Sequence, residues 1–225
     1  TDLEGTVLLT AEGMSNRLRM MRDEELMTLA GHMTAVFDVR LVVTLRRQDF
    51  LKESVFSEVA THHYQGRIED ETHYVYDFDA FLGRLERAFG AQSIHPGLYR
   101  DDRREDLMAN FLELSGIPLT VEDLIPVPPT RVSLHRRKVA FLALLDKSNK
   151  PAFRKVRKLV AGSDAITEDG CKYLMSPEDR AAFLGKYTAS NLSLCQRYGT
   201  DWAPYLTTPT PDPDWFEAAP TTPAE

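Results

Sequence analysis

The fold is decided by residues 41–55, which read LVVTLRRQDFLKESV. The β-branched run at the start predicts a buried strand, and residues 48–61 have the apolar spacing of a helix, so the chain passes directly from strand to helix. Arg46 then stands at the end of the strand, and Ser54 lies eight residues later inside the helix. A guanidinium fork beside a hydroxyl is suited to binding a phosphate. This arrangement predicts a nucleotide or a phosphorylated cofactor as ligand.

Strands and helices also alternate on both sides of this segment. On its amino side, residues 5–10 read as a short buried strand and residues 23–37 as a helix. On its carboxyl side, residues 77–90 and 106–116 predict two helices that begin at Asp77 and Asp106 and stop at glycines. Between these two helices, residues 92–99 predict a weaker strand, which an edge position would suit because Pro96 and Gly97 interrupt it.

Helices dominate the prediction for the rest of the chain. Residues 135–147, 152–160 and 176–198 have helical spacing, and the third begins Ser-Pro-Glu-Asp, a typical helix start. Six of the 13 prolines lie beyond Trp202. Residues 1–200 are therefore predicted to form one domain and residues 201–225 an irregular tail.

Short buried strands that alternate with helices predict an α/β fold with a largely parallel sheet, flanked by helices, and a helical C-terminal part. Ligands of such sheets bind at the carboxyl ends of the strands. Glu12 and Arg46 both fall at such ends in the predicted fold.

The charge of the chain limits its partners. Asp and Glu number 34 and Lys and Arg 27, a balance that argues against wholesale binding to a nucleic-acid backbone. Residues 131–158 depart from this acidic balance, because they carry a net charge of +9. The rest of the chain then has a net charge of −16. This basic segment has two interpretations, either the solvated face of amphipathic helices or a positive surface that attracts phosphates or an acidic acceptor.

The two cysteines, Cys171 and Cys195, show neither metal-ligand spacing nor a disulfide framework. They predict reduced thiols in a cytoplasmic protein. The chain has no apolar run long enough for a membrane span, and its histidines lack metal-ligand spacing. We therefore expect a soluble protein without a structural metal.

Four stretches of the chain are similar to one known family. Residues 7–12, VLLTAE, resemble the family's second strand, which ends in a small residue, any residue and a glutamate. Residues 43–49, VTLRRQD, together with Ser54, resemble the element that binds the 3′-phosphate of 3′-phosphoadenosine 5′-phosphosulfate. Residues 79–116 and 174–199 are similar to its later helix, strand and helix and to its C-terminal helix. The family is the P-loop sulfotransferase superfamily, and the likeness is to its bacterial sulfotransferase-like members.

The resemblance implies a three-layer P-loop-type sheet and transfer of a sulfuryl group from 3′-phosphoadenosine 5′-phosphosulfate to a hydroxyl or amine, with glycans among the candidate acceptors. It implies that Arg46 and Ser54 bind the 3′-phosphate and that Glu12 is the general base. Glu12 also has a structural interpretation, as a cap or ion-pair partner of the following turn. His62 and His63 follow the phosphate-binding helix, where an acceptor would enter, and are the predicted acceptor contacts.

One departure from the family pattern concerns the start of the chain. Family members begin with a strand, a Gly/Lys/Thr-rich loop and a helix that hold the 5′-phosphosulfate, and residues 1–225 do not contain them. We therefore expect the chain to be N-terminally incomplete. An alternative is a non-catalytic nucleotide-binding or interaction module with the same fold. A third interpretation, a glycosyltransferase or kinase-like nucleotide enzyme, predicts binding of nucleotides without a 3′-phosphate.

Overall fold

The structure, a computed structural model, describes residues 6–10, 14–72, 74–100, 106–126, 134–163 and 173–209. Its helices and strands, in chain order, are α1 (Met14–Met20), α2 (Asp23–Thr34), β1 (Leu41–Arg46), α3 (Gln48–Ala60), α4 (Phe78–Phe89), β2 (Ile94–Tyr99), α5 (Asp106–Ser115), α6 (Arg136–Leu144), α7 (Lys150–Gly162), α8 (Pro177–Gly185), α9 (Thr188–Tyr198) and α10 (Ala203–Thr207). Short 3-10 turns occur at Ala91–Ser93 and Val121–Asp123.

The chain divides into two compact units. The first unit comprises Thr1–Arg47, Val75–Val127 and Ser193–Gly199. The second unit comprises Gln48–Tyr74, Pro128–Leu192 and Thr200–Glu225. The boundary falls between β1 and α3, so the strand and the helix of residues 41–55 belong to different units.

The first unit is built on a pair of parallel strands. β1 pairs with β2 in a register that runs from Leu41 opposite Ile94 to Arg46 opposite Tyr99. Helix α5 packs against both strands, and α4 packs against α2 and β2. α5 comes so close to β2 that a Cβ atom at Gly97 would lie 2.5 Å from Cδ1 of Leu114. A side chain at this position would force the Leu114 methyl group to move, so glycine allows the close packing of α5 on β2.

Helix α4 supplies most of the apolar core of the first unit. Its buried side chains recur at helical spacing along one stripe, at Phe78, Phe81, Leu82, Leu85 and Phe89. The Asp77 side chain accepts a hydrogen bond from the backbone N–H of Ala80 at 3.0 Å and caps the helix. Gly90 ends it with a positive φ of 88°, a conformation that favours glycine.

The second unit is helical. In it α3 packs against α6 and α8, α6 against α7, and α8 against α10. One buried apolar cluster joins Leu142 of α6 to Phe153 and Val160 of α7. Polar side chains are also buried here, among them Gln48, whose amide donates to the Asn191 side chain at 2.6 Å.

The predicted three-layer, mostly parallel P-loop-type sheet is wrong. The described residues are mostly helical and form one sheet of two strands. Residues 6–10, predicted as a strand, have no regular secondary structure, and Val7, Leu8 and Leu9 are 60%, 54% and 66% exposed. An apolar run becomes a strand only where a neighbour pairs its backbone groups, and no described strand pairs with this run.

Several local predictions are confirmed. The predicted helices at 23–37, 48–61, 77–90 and 106–116 correspond to α2, α3, α4 and α5, and the weaker strand is β2. Two details are wrong. The strand β1 is not fully buried. Among its six residues Leu45 is buried, Thr44 is exposed and the other four are half-buried. The helix predicted over 176–198 is two helices, since the chain turns after Gly185 before α9 begins.

The Asp77 cap can be tested by substitution. Asp77→Ala removes the acceptor for the Ala80 N–H, and we expect it to lower the free energy of unfolding by about 1 kcal/mol. Asp77→Asn keeps a side-chain oxygen and should change the free energy of unfolding by only a few tenths of a kcal/mol. Urea denaturation measures both variants. Equal stability of the wild type and the alanine variant would contradict the assigned cap.

Candidate functional site

Arg46 lies at the carboxyl end of β1, half-buried, where the parallel sheet of the first unit ends. The register places Tyr99 directly opposite it on β2. The guanidinium carbon of Arg46 is 5.4 Å from the centre of the Tyr99 ring, within the range of a cation–π contact. Arg100 follows Tyr99 and is also half-buried. Two arginines and an aromatic ring therefore occur together at the carboxyl ends of the two strands.

The second arginine of the pair in residues 41–55 has a different environment. Arg47 is fully buried, whereas Arg46 retains contact with solvent. Of the two, Arg46 is the one that a dissolved anion can reach.

Ser54 is an exposed residue of α3. It belongs to the second unit, whereas Arg46 belongs to the first. Each side chain is available to solvent within its own unit. Shared binding of one phosphate by Arg46 and Ser54 stays a prediction.

His62 and His63 are exposed at the carboxyl end of α3. The Nδ1 atom of His62 lies 2.8 Å from the carbonyl oxygen of Glu58 and 3.0 Å from Oγ1 of Thr61. The ring therefore contacts the last turn of its own helix, which is a capping arrangement. Contact of either histidine with an acceptor stays a prediction. Glu12, the predicted general base, lies outside the described residues.

A buried ionic cluster in the second unit was not predicted. Arg180 of α8 donates to Asp49 at 2.6 Å and to Glu53 at 2.7 Å, and all three side chains are almost completely buried. The backbone N–H groups of Leu174 and Met175 donate to the same Glu53 oxygen at 3.0 and 3.1 Å. The cluster thus joins α8 and the segment before it to α3.

The sequence contains one signal for this cluster. Asp49 and Glu53 are four residues apart, so their like charges lie on the same face of α3. Both are almost completely buried beside Arg180. Two buried carboxylates at this spacing require a cation from elsewhere in the chain. The sequence does not tell which cation that is.

The electrostatics of Glu53 set two effects against each other. Burial raises the pKa of Glu53, and the guanidinium groups of Arg180 and Arg136 oppose that rise. Its second oxygen is buried, has no hydrogen-bond partner among the described residues, and lies 3.9 Å from Nε of Arg136. A carboxyl enclosed in this way stabilises the packing of α8 and is poorly placed to meet a substrate.

Two buried lysines also serve the structure. Lys52 donates to the carbonyl of Glu71 at 3.0 Å and lies 4.8 Å from the Phe183 ring, and burial lowers the pKa of Lys52. Lys147 donates to the carbonyl of Leu142 at 2.8 Å and to that of Tyr64, and burial lowers the pKa of Lys147 as well. Both amines hold loop backbone in place, so neither is a candidate nucleophile.

Within the described ranges, no three His, Cys, Asp or Glu side chains form a group that could hold a metal ion. None of the described helices combines the length and the apolar character needed to cross a bilayer. No protein-family model, no curated protein and no solved structure matches this chain.

The raised pKa of Glu53 gives a pH prediction. The folded protein holds the Glu53 proton more tightly than the unfolded chain, in which this carboxyl group has the ordinary pKa of 4.5. The stability of the wild type relative to Glu53→Gln should therefore be greatest below about pH 4 and should fall as pH rises through the folded pKa, then level off.

Urea denaturation across this pH range measures the difference between the wild type and Glu53→Gln. Glu113→Gln changes an exposed glutamate of α5 and serves as the matched control, for which we expect no such decline. A relative stability of the wild type that grows with pH would show that the ion pair with Arg180 outweighs burial.

Proposed function

We propose that this chain binds 3′-phosphoadenosine 5′-phosphosulfate and takes part in transfer of its sulfuryl group to a hydroxyl or amine acceptor. The observation that carries the proposal is the position of Arg46, a half-buried guanidinium at the carboxyl end of a parallel strand and opposite Tyr99. Parallel sheets bind ligands at this end of their strands. The similarity of residues 43–54 to the 3′-phosphate element of sulfotransferases supports the same ligand.

The residues at this position fit an anion. A guanidinium is always charged and can donate two parallel hydrogen bonds to a phosphate. The Tyr99 ring at 5.4 Å restricts the Arg46 side chain, and Arg100 adds a second positive charge nearby in sequence. Restriction before binding lowers the entropy lost when the phosphate is bound.

The proposal rests on these residues and not on a three-layer sheet, which the described residues do not form. The donor supplies an activated sulfuryl group. Glu12 would remove the proton of the attacking hydroxyl or amine, and this role rests on the sequence pattern of residues 7–12 alone. The two cysteines are predicted to be reduced thiols, and on that prediction the chain would act in the cytoplasm. Glycans stay among the candidate acceptors.

Binding without transfer would make the chain a non-catalytic nucleotide-binding module, the second candidate. Isothermal titration with adenosine 3′,5′-bisphosphate and with ADP tests both candidates together. Preference for the bisphosphate supports a site that recognises the 3′-phosphate. Equal affinity for the two nucleotides rules out both candidates and favours an enzyme that uses ordinary nucleotides.

Arg46→Ala should weaken binding of adenosine 3′,5′-bisphosphate by about 1.5–3 kcal/mol, the usual contribution of hydrogen bonds to charged groups. Its matched control is Arg40→Ala, because Arg40 precedes the opposite, amino end of β1 and is exposed. Its guanidinium donates to the carbonyl of Leu114 at 3.2 Å. Calorimetric dissociation constants that change equally in the two variants would refute the assignment of Arg46.

Ser54→Ala tests the sequence prediction that Ser54 binds the 3′-phosphate together with Arg46. We expect weaker bisphosphate binding for the single variant and a non-additive effect in the double variant with Arg46→Ala. Residues that contact one group show coupling energies of about 0.5–3 kcal/mol, whereas independent residues add within about 0.5 kcal/mol. Calorimetric titration of the four proteins gives the coupling. Additive effects would mean that Ser54 contacts something else.

A further inference from the structure

Helix α7 carries a strongly cationic face in an acidic protein. Its 13 residues include five Lys or Arg and no Asp or Glu, whereas the whole chain has a net charge of −7. Phe153 and Val160 are buried on one side of the helix and pack against Leu142. Four cations are exposed, and these are Lys150, Arg154, Lys155 and Lys158. The fifth, Arg157, is half-buried and donates to the carbonyl of Thr61 at 3.3 Å.

The exposed cations lie close to one another. Lys150, Arg154 and Lys158 follow at steps of four residues, and Lys155 is three residues from Lys158. Like charges at these spacings repel and destabilise a helix. Over the part of the chain that the structure describes, none of these four forms an ion pair with an acidic side chain. An external anion would relieve the repulsion.

An open cavity of about 560 Å³ lies along the last turns of α7. It is lined by Lys155, Lys158, Leu159 and Gly162, and Leu159 is 73% exposed. A large exposed apolar side chain thus lies beside two lysines on the outer face of the helix. Exposure of the leucine side chain to water is unfavourable, and the ammonium groups attract anions.

We propose that this face of α7 binds the surface of a membrane that contains anionic phospholipids. The headgroup phosphates would pair with Lys155 and Lys158, and Leu159 would enter the boundary between headgroups and acyl chains. At about 20 Å for 13 residues, the helix is long enough to lie flat on that surface. The long lysine side chains can reach the phosphates while Leu159 points into the apolar layer.

The exposed leucine favours lipid over a soluble polyanion. A nucleic acid or an acidic polysaccharide would bind the lysines through its charges, but contact with Leu159 would add little binding free energy. Single-stranded nucleic acid would also need an exposed ring for base stacking, and the aromatic residue of α7, Phe153, is buried. Charge and apolar surface on the same helix face are together typical of interfacial helices.

Vesicle sedimentation tests the proposal with the full chain. We expect the protein to sediment with vesicles of phosphatidylcholine and phosphatidylserine and to stay in the supernatant with phosphatidylcholine alone. Each cation near an anionic surface contributes about fivefold in partitioning. Lys155→Gln with Lys158→Gln should therefore weaken binding by about 25-fold.

Two further variants make the test specific. Arg17→Gln with Arg87→Gln removes the same charge from exposed helix positions of the first unit and should bind vesicles like the wild type. Leu159→Gln keeps the net charge and should weaken vesicle binding about tenfold, because it removes one apolar side chain from the lipid boundary. Circular dichroism of each variant confirms that α7 remains folded.

The proposal would be overturned by any of three results. The first is absence of wild-type binding to the anionic vesicles. The second is an equal loss of binding in the two double variants, which would show an effect of overall charge. The third is unchanged vesicle binding of Leu159→Gln together with tight wild-type binding to heparin or RNA, which would identify a soluble polyanion as the partner.

Discussion

The parallel pairing of β1 with β2 is the constraint on which the first unit depends. Two parallel strands cannot be joined by a tight turn, so the chain must leave the end of one strand and return to the start of the other. Here the connection runs from Arg47 to Ser93 and includes the whole of α3 and its following loop, which belong to the second unit. Parallel pairing also brings equivalent strand ends together, and this is why Arg46 and Tyr99 are neighbours although they are distant in sequence.

A different interaction organises the second unit. Asp49, Glu53 and Arg180 form a buried ionic cluster, completed by backbone N–H groups of Leu174 and Met175. Such a cluster adds little net stability compared with apolar packing, but loss of one member leaves a buried charge without compensation. In this structure α8 and α3 are placed so that both carboxylates contact Arg180. Helix α7, which carries the cationic face, packs against α6 in the same unit.

The sequence predicts those parts of the fold that depend on neighbouring residues. Asp77 caps α4 and Ser176 caps α8 as expected, because capping needs only a side-chain oxygen close in sequence. The strand predicted at residues 6–10 fails, because pairing depends on a distant partner that the apolar run does not specify. The division of 176–198 into two helices was missed since Gly185 is tolerated inside many helices and gives no certain signal.

In the candidate site, too, the sequence predicts local features but not contacts between distant residues. The position of Arg46 at a strand end follows from residues 41–46 and is confirmed, whereas Tyr99 as its neighbour requires the register of β1 and β2. Arg180 could not be found because its carboxylate partners lie far away in sequence. Fold class was wrong for a related reason, since short apolar runs count as strands only when a sheet accepts them.

The close approach of Leu114 to Gly97 has an evolutionary consequence. With only 2.5 Å between a new Cβ atom and the leucine methyl group, a change at 97 requires the side chain at 114 to adjust. A lineage that acquires alanine or serine at 97 would have to accommodate the new Cβ atom, either with another rotamer of Leu114 or with a shorter side chain there. These two positions should therefore vary together among descendants of a common ancestor, while the exposed residues of α5 drift freely.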